Sequence, residues 1–197
     1  MEKRIVLAGG LIAPTFKVHD VSFKYRMGAG FLGDVNRTHP ASIEPNFPDP
    51  TNPPTFYGQP VVVNSATGCV RAILATDSAL TAVYGITVRP FPYQQTQAQS
   101  LTQPFGGAIP PTKQAIDVLK SGYVIVGVYG ATVKGGSVFV WYAAAAGNHV
   151  QGGFEAATSA GNTFQLTANN NAYFNGAPDV SAIVNSNVNA VELAFNV

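Results

Sequence analysis

Charged side chains are scarce: Asp, Glu, Lys and Arg make up 11% of the 197 residues, against about 25% in an ordinary soluble domain. At a net charge of +1 there is no clustered basic face of the kind that attracts nucleic acid, so no direct nucleic-acid partner is expected. Gly, Pro, Asn, Gln, Ser and Thr must cover the surface instead. Neutral amides and hydroxyls cost less to bury than ions, which suits a surface in lasting contact with other proteins. Cysteine is nearly absent as well. Cys69 stands alone, which excludes an internal disulfide and leaves it as a small residue in or beside a strand. No run reaches the roughly 18–20 apolar residues of a membrane helix, so no membrane partner is expected. The opening Met1-Glu2-Lys3-Arg4, followed by Ile5 to Ala13, imitates a secretion leader. Its apolar run is short, broken by Gly9-Gly10 and followed by Pro14, so a cleaved leader is not expected.

The few charges are unevenly placed. Residues 1–37 carry six basic and three acidic side chains, whereas residues 135–197 carry three acids and no Lys or Arg. The length suits one substantial core with an appendage: an N-terminal arm, strand and Pro-rich loop over 1–55, and a β core over 56–197 with a long loop at 90–112.

Strand patterns dominate. Val21, Phe23, Tyr25 and Met27 alternate with Ser22, Lys24 and Arg26, which predicts a half-buried strand. Seven of the fourteen prolines fall between Pro40 and Pro60, so that segment is expected to be an irregular or extended loop outside any central strand. Gln59–Val63 and Cys69–Leu74 flank the turn-like Asn64–Gly68 and predict a hairpin, and Val83–Arg89 another strand, stopped by Pro90. From Pro90 to Thr112 there is no charge, and five Gln and five Pro accumulate. The aromatic Phe91, Tyr93 and Phe105 there argue for a functional loop over a disordered one. Lys113–Lys120, with Ala115, Ile116 and Leu119 on one face, is the single expected helix. Gly122–Val133, the turn Lys134-Gly135-Gly136, and Ser137–Tyr142 predict a second hairpin, buried on both faces. Phe164–Ala168 is a further strand, Asn175-Gly176 reads as a type I′ turn, and Val191, Leu193 and Phe195 alternate toward the terminus. The fold class expected is all-β: an antiparallel sandwich or barrel, jelly-roll-like, with long Pro-rich loops and an extended N-terminal arm.

Chemical motifs fail on inspection. Gly28-Ala29-Gly30-Phe31-Leu32-Gly33 spells a dinucleotide fingerprint, but Asp34–Pro40 follows where the motif needs a helix to face the pyrophosphate. His19, His39 and His149 lie far apart without metal-ligand spacing and are expected as exposed loop residues. The acids, Asp49 and Glu155 among them, sit beside turns and are expected to be solvated. No catalytic, metal or cofactor residue is assigned, and Cys69, His39 and Glu155 are expected to tolerate Ala with activity largely unchanged.

The stretch Tyr57-Gly58-Gln59-Pro60-Val61-Val62-Val63 through Gly68, then Tyr84–Pro92, Gly122-Tyr123-Val124-Ile125-Val126 and Gly135–Val140, resembles the structural cement (head decoration) proteins of tailed bacteriophages, over roughly residues 55–155. The resemblance implies a non-enzymatic virion protein, made in the host cytoplasm and placed on the outer surface of the capsid. Its partners would be the major capsid protein and itself, as a dimer or trimer. Contacts are expected from the arm, through Lys3, Arg4, Ile5, Val6, Leu7, Leu11, Ile12 and Phe16, and from the uncharged loop, through Phe91, Tyr93 and Phe105. Two other readings compete: a tail or receptor-binding module stacking aromatics such as Trp141 on glycan, and a small hydrolase using Cys69 or a carboxylate pair.

Overall fold

One β-branched run organises the molecule. Strand β5, Ile116–Tyr129, is fourteen residues long and pairs with strands on both of its edges. The fold is seen in a computed structural model that describes residues 30–37, 41–80, 82–90, 109–166, 170–178 and 188–197. Around the first half of β5 lie β1 (Ser42–Asn46) and β4 (Gly85–Val88), both antiparallel to it, with β2 (Pro60–Val63) on β4 and β3 (Val70–Ala72) on β2. From Gly122 onward the partner is β10 (Val188–Phe195), antiparallel from Phe195↔Gly122 to Val188↔Tyr129. The last two residues of β5 also pair, in parallel, with β7 (Phe154–Glu155). Beyond β7 come β6 (Phe139–Trp141) and β8 (Thr163–Gln165), while β9 (Tyr173–Phe174) extends β10.

The all-β class is as the sequence predicts. The ten strands among the described residues form one sheet that is mixed rather than wholly antiparallel, because of the β5–β7 pair, and it is not closed. The core gathers residues from both halves of β5. Val62, Ile86, Val88 and Leu119 share one cluster with Val124, Val126, Val128, Phe154, Phe174, Leu193 and Phe195. Burying each such side chain is worth about 1.5–3 kcal/mol. Val61, Val70, Ile116 and Val118 form a smaller cluster.

Several local expectations fail for physical reasons. The helix expected over 113–120 is strand from Ile116 onward: Ile116 and Val118 are β-branched and buried, and pairing to β1 and β4 satisfies this backbone on both edges. The Pro40–Pro60 segment is not all loop, since β1 lies within it. Pro45 is tolerated because β1 pairs only with β5, so its missing N–H faces no second strand. Past β1 the chain crosses to the far edge of β3, with Val70 N donating to Phe47 O at 2.9 Å and Asp49 N to Val70 O at 2.7 Å. The hairpin expected over 122–142 is not made, because β7 is inserted between β5 and β6. The Lys134–Gly136 turn instead hydrogen-bonds to β9, through Gly135 N to Phe174 O at 2.8 Å. Neither Asn175 nor Gly176 takes the positive φ that a type I′ turn needs. The hairpin of β2 and β3, and strands at β4, β8 and β10, fall where expected. The Val21–Met27 strand and the loop at 91–108 lie outside the described residues.

Candidate interaction surface

The stretch 30–37 is laced onto β5 and the end of β4. Gly33 N donates to Ile125 O at 2.8 Å, Ile125 N to Asp34 O at 2.9 Å, and Arg89 N to Gly33 O at 2.9 Å; Val35 bridges Val124. Gly33 makes this approach possible. Its φ is +84°, and an added Cβ would stand 2.7 Å from the Tyr57 Cβ and 3.0 Å from Arg89 N. The consequence is a large apolar ring held outward: Phe31 is 67% exposed, with the Arg89 guanidinium 4.7 Å from its centroid.

Between this stretch, the end of β4 and β1 runs a groove of about 470 Å³. Val35, Val88 and Ile43 give it apolar walls, and Asp34, Asn36, Arg89 and Asp117 line it as well. Asp34 Oδ2 also accepts from Phe31 N at 3.0 Å. Ile43 is exposed at the groove, and Phe47 is exposed four residues on. Two of the undescribed segments adjoin it: residues 1–29 join at Gly30, and residues 91–108 leave after Pro90, next to the Arg89–Gly33 hydrogen bond. The eleven residues named from sequence as contacts, Lys3, Arg4, Ile5, Val6, Leu7, Leu11, Ile12, Phe16, Phe91, Tyr93 and Phe105, all lie outside the described residues. What the structure adds is the place from which both segments spring.

A second cluster fastens the stretch 30–37 to the C-terminal strand. Arg37 Nε and Nη2 donate to the two Glu192 carboxylate oxygens at 3.1 and 2.8 Å, and its guanidinium lies 4.2 Å from the Tyr123 ring centroid. Asn175 donates to the same carboxylate. Burial alone would raise the Glu192 pKa, but the hydrogen bonds from Arg37 and Asn175 outweigh it and hold it below the usual carboxylate range.

Two of the acids expected to be solvated are buried. Asp49 is buried and accepts from Thr51 N, Asn52 N, Asn64 Nδ2 and Thr67 Oγ1, and the Asn52 N–H leads in pulling its pKa down. Glu155, on β7, has a side chain only 6% exposed, and its Oε1 lies 2.8 Å from His149 Nδ1. Burial pushes the Glu155 carboxyl up, against the pull of His149. His149 is therefore no exposed loop residue: it is half-buried and stacked on Trp141, with centroids 4.0 Å apart. That stacking occupies the Trp141 face a sugar would need, and Trp141 is itself buried. The cavity beside Glu155, about 10 Å³, is on the scale of one water and has no room for a substrate. The Cys69 thiol, beside β3, lies 3.8 Å from Thr67 O in its own turn. Among the described residues no group of three or more His, Cys, Asp or Glu could hold a metal ion, and no helix is long and apolar enough to cross a membrane.

The model of a phage family described as structural cement protein (E217 gp24/Pam3 gp6) matches residues 20–194. The chain belongs to this family. The match reaches well beyond the 55–155 stretch that carries the resemblance in sequence, and it takes in the groove, the fastening of Arg37 to Glu192 and the C-terminal strand. No curated protein matches the chain. This cement protein is thus a structural component of a phage virion and associates with capsid proteins. Its exposed Phe31, Ile43 and Phe47 were missed from sequence. Phe31 lies inside a rejected nucleotide motif, and the period-two spacing of Ile43, Pro45 and Phe47 was hidden by the surrounding prolines.

Proposed function

We propose that this cement protein binds the outer surface of a bacteriophage head as a homo-oligomer, dimer or trimer, and stabilises contacts between neighbouring major capsid subunits without catalysing a reaction. The observation that carries the reading is the structural-cement family match over nearly the whole chain. The groove supports it: an outward aromatic, exposed aliphatic side chains and two departing segments share one side of an otherwise well-packed β core. Apolar contacts outweigh ionic ones in this scheme. Exposed ion pairs from Lys3 or Arg4 are worth about 0–1 kcal/mol each, whereas burying Ile5, Val6, Leu7, Leu11, Ile12 or Phe16 gives about 1.5–3 kcal/mol apiece. At about 3.3 Å per residue the 29 residues before Gly30 span at most roughly 95 Å, enough to reach a neighbouring subunit.

The test is sedimentation of heads that lack the protein after addition of purified chain, full-length or without residues 1–16. Full-length protein is expected to co-sediment at saturating stoichiometry, and the truncated form to bind more weakly. Equal binding by the two removes the arm from the mechanism, and binding by neither refutes the cement reading.

A further inference from the structure

The geometry points to the groove between the 30–36 stretch and β1 as the receptor for residues 3–7 of a second copy of this chain, so that copies are linked by exchanged arms. The inference rests on the reading that the arm makes contacts between subunits, and it supplies the surface that receives it.

Chemistry selects the occupant. The walls are apolar at Val35, Val88 and Ile43, and the acidic residues Asp34 and Asp117 line the same groove. Arg89 lines the groove as well, with its guanidinium over the Phe31 ring. A fitting ligand is extended, carries adjacent positive charges and continues into branched aliphatic residues. Lys3-Arg4-Ile5-Val6-Leu7 has that order within five residues. The other basic residues of the arm, Lys17, Lys24 and Arg26, are not followed by such a run. Charge balance agrees. Residues 1–29 hold five basic and two acidic side chains, a net of +3, and the groove is lined by two acids and one cation, a net of −1.

Position argues for exchange between copies. The arm joins the described chain at Gly30, a few residues from Asp34 and Val35 of its own groove. To fill that groove, residues 3–7 would have to double back to their own point of departure. Across a two-fold axis, one copy's arm would instead enter the other's groove and the reverse, a self-complementary interface that closes with two copies. Paired arms then add avidity without any new kind of contact.

Complementation separates exchange from self-binding. One chain keeps its arm but carries Asp117→Lys in the groove and Ile5→Cys in the arm. The other lacks residues 1–16, keeps its groove and carries Asn36→Cys. Both carry Cys69→Ser. Mixed and oxidised without heads, they are expected to give a disulfide-linked heterodimer. The yield should fall by about three- to tenfold when the truncated chain also carries Asp117→Lys, and by less with Asp117→Asn. Circular dichroism dominated by strand confirms that each variant is folded. A full-length chain holding Ile5→Cys and Asn36→Cys together, with the native groove, should link mainly as dimers. If it closes only within one chain, or if no link forms in any mixture, the exchange is refuted. Since no heads are present, that failure leaves the sedimentation result on capsid binding standing.

Discussion

Replacing Gly33 with Ala strikes the point where the groove is tied to the core. At φ +84° a residue bearing a Cβ is strained by about 1–2 kcal/mol. The new methyl also meets the Tyr57 Cβ at 2.7 Å, Arg89 N at 3.0 Å and Gly58 N at 3.2 Å. Two of these neighbours are backbone and cannot turn aside, so overpacking adds about 1–3 kcal/mol. A loss near 3 kcal/mol, at about 2–4 °C per kcal/mol for a chain of this size, lowers Tm by about 6–12 °C. Gly68→Ala is the internal control: its φ is +71°, yet nothing lies within 4 Å of an added Cβ, so only the conformational cost of about 1–2 kcal/mol applies. Urea unfolding followed by fluorescence of the single, buried Trp141 measures both variants. Equal losses at the two glycines would refute the claim that the 30–37 stretch is pressed against Tyr57 and Arg89.

Glu155→Gln should raise Tm at neutral pH and lose that advantage toward pH 4. A carboxyl whose folded pKa is raised above its ordinary 4.5 removes stability as pH climbs through that interval, and the amide does not titrate. Melting curves of both proteins between about pH 4 and pH 8 check it, and parallel curves would contradict it. Asp49, Asp77 and Glu192 act in the opposite sense. Their pKa values are lowered, Asp77 and Glu192 by Arg71 and Arg37 against the upward push of burial, so their stabilisation is complete above the ordinary carboxylate value and disappears as pH falls through the folded one. Acid unfolding should accordingly begin below about pH 4, and Glu192→Gln should shallow it. Phe154→Ala, in the short strand that joins β5 to β6, should cost about 3–5 kcal/mol by urea titration, and a loss under 1 kcal/mol would mean the core is not built around β7.

The all-β class was legible because strand signals are local: alternation in Val191, Leu193 and Phe195, β-branched runs in Val61–Val63 and Val124–Val128, and prolines and glycines between them. Pairing was not legible, because it is set by distant segments. Nothing near Phe154-Glu155 announces that two residues will slide between β5 and β6, and the Lys134-Gly135-Gly136 turn advertised a hairpin that tertiary contacts overrode. The same holds for Glu155 and His149. Each reads as an exposed loop residue alone, and their mutual satisfaction six residues apart depends on Trp141 stacking from another strand. The groove was hidden for a related reason. Asp34, Ile43, Arg89 and Asp117 are scattered over more than eighty residues and meet only when the start of β5 takes β1 on one edge and β4 on the other.

Heat resistance of the assembled head tests the central claim most directly. Heads lacking this protein, incubated with increasing amounts of the purified chain, should release their DNA at progressively higher temperature until sites are full. The expected gain is about 2.7 kcal/mol per site when free protein stands at 100 times its dissociation constant. A release temperature that does not move although the protein is bound would contradict a cementing role.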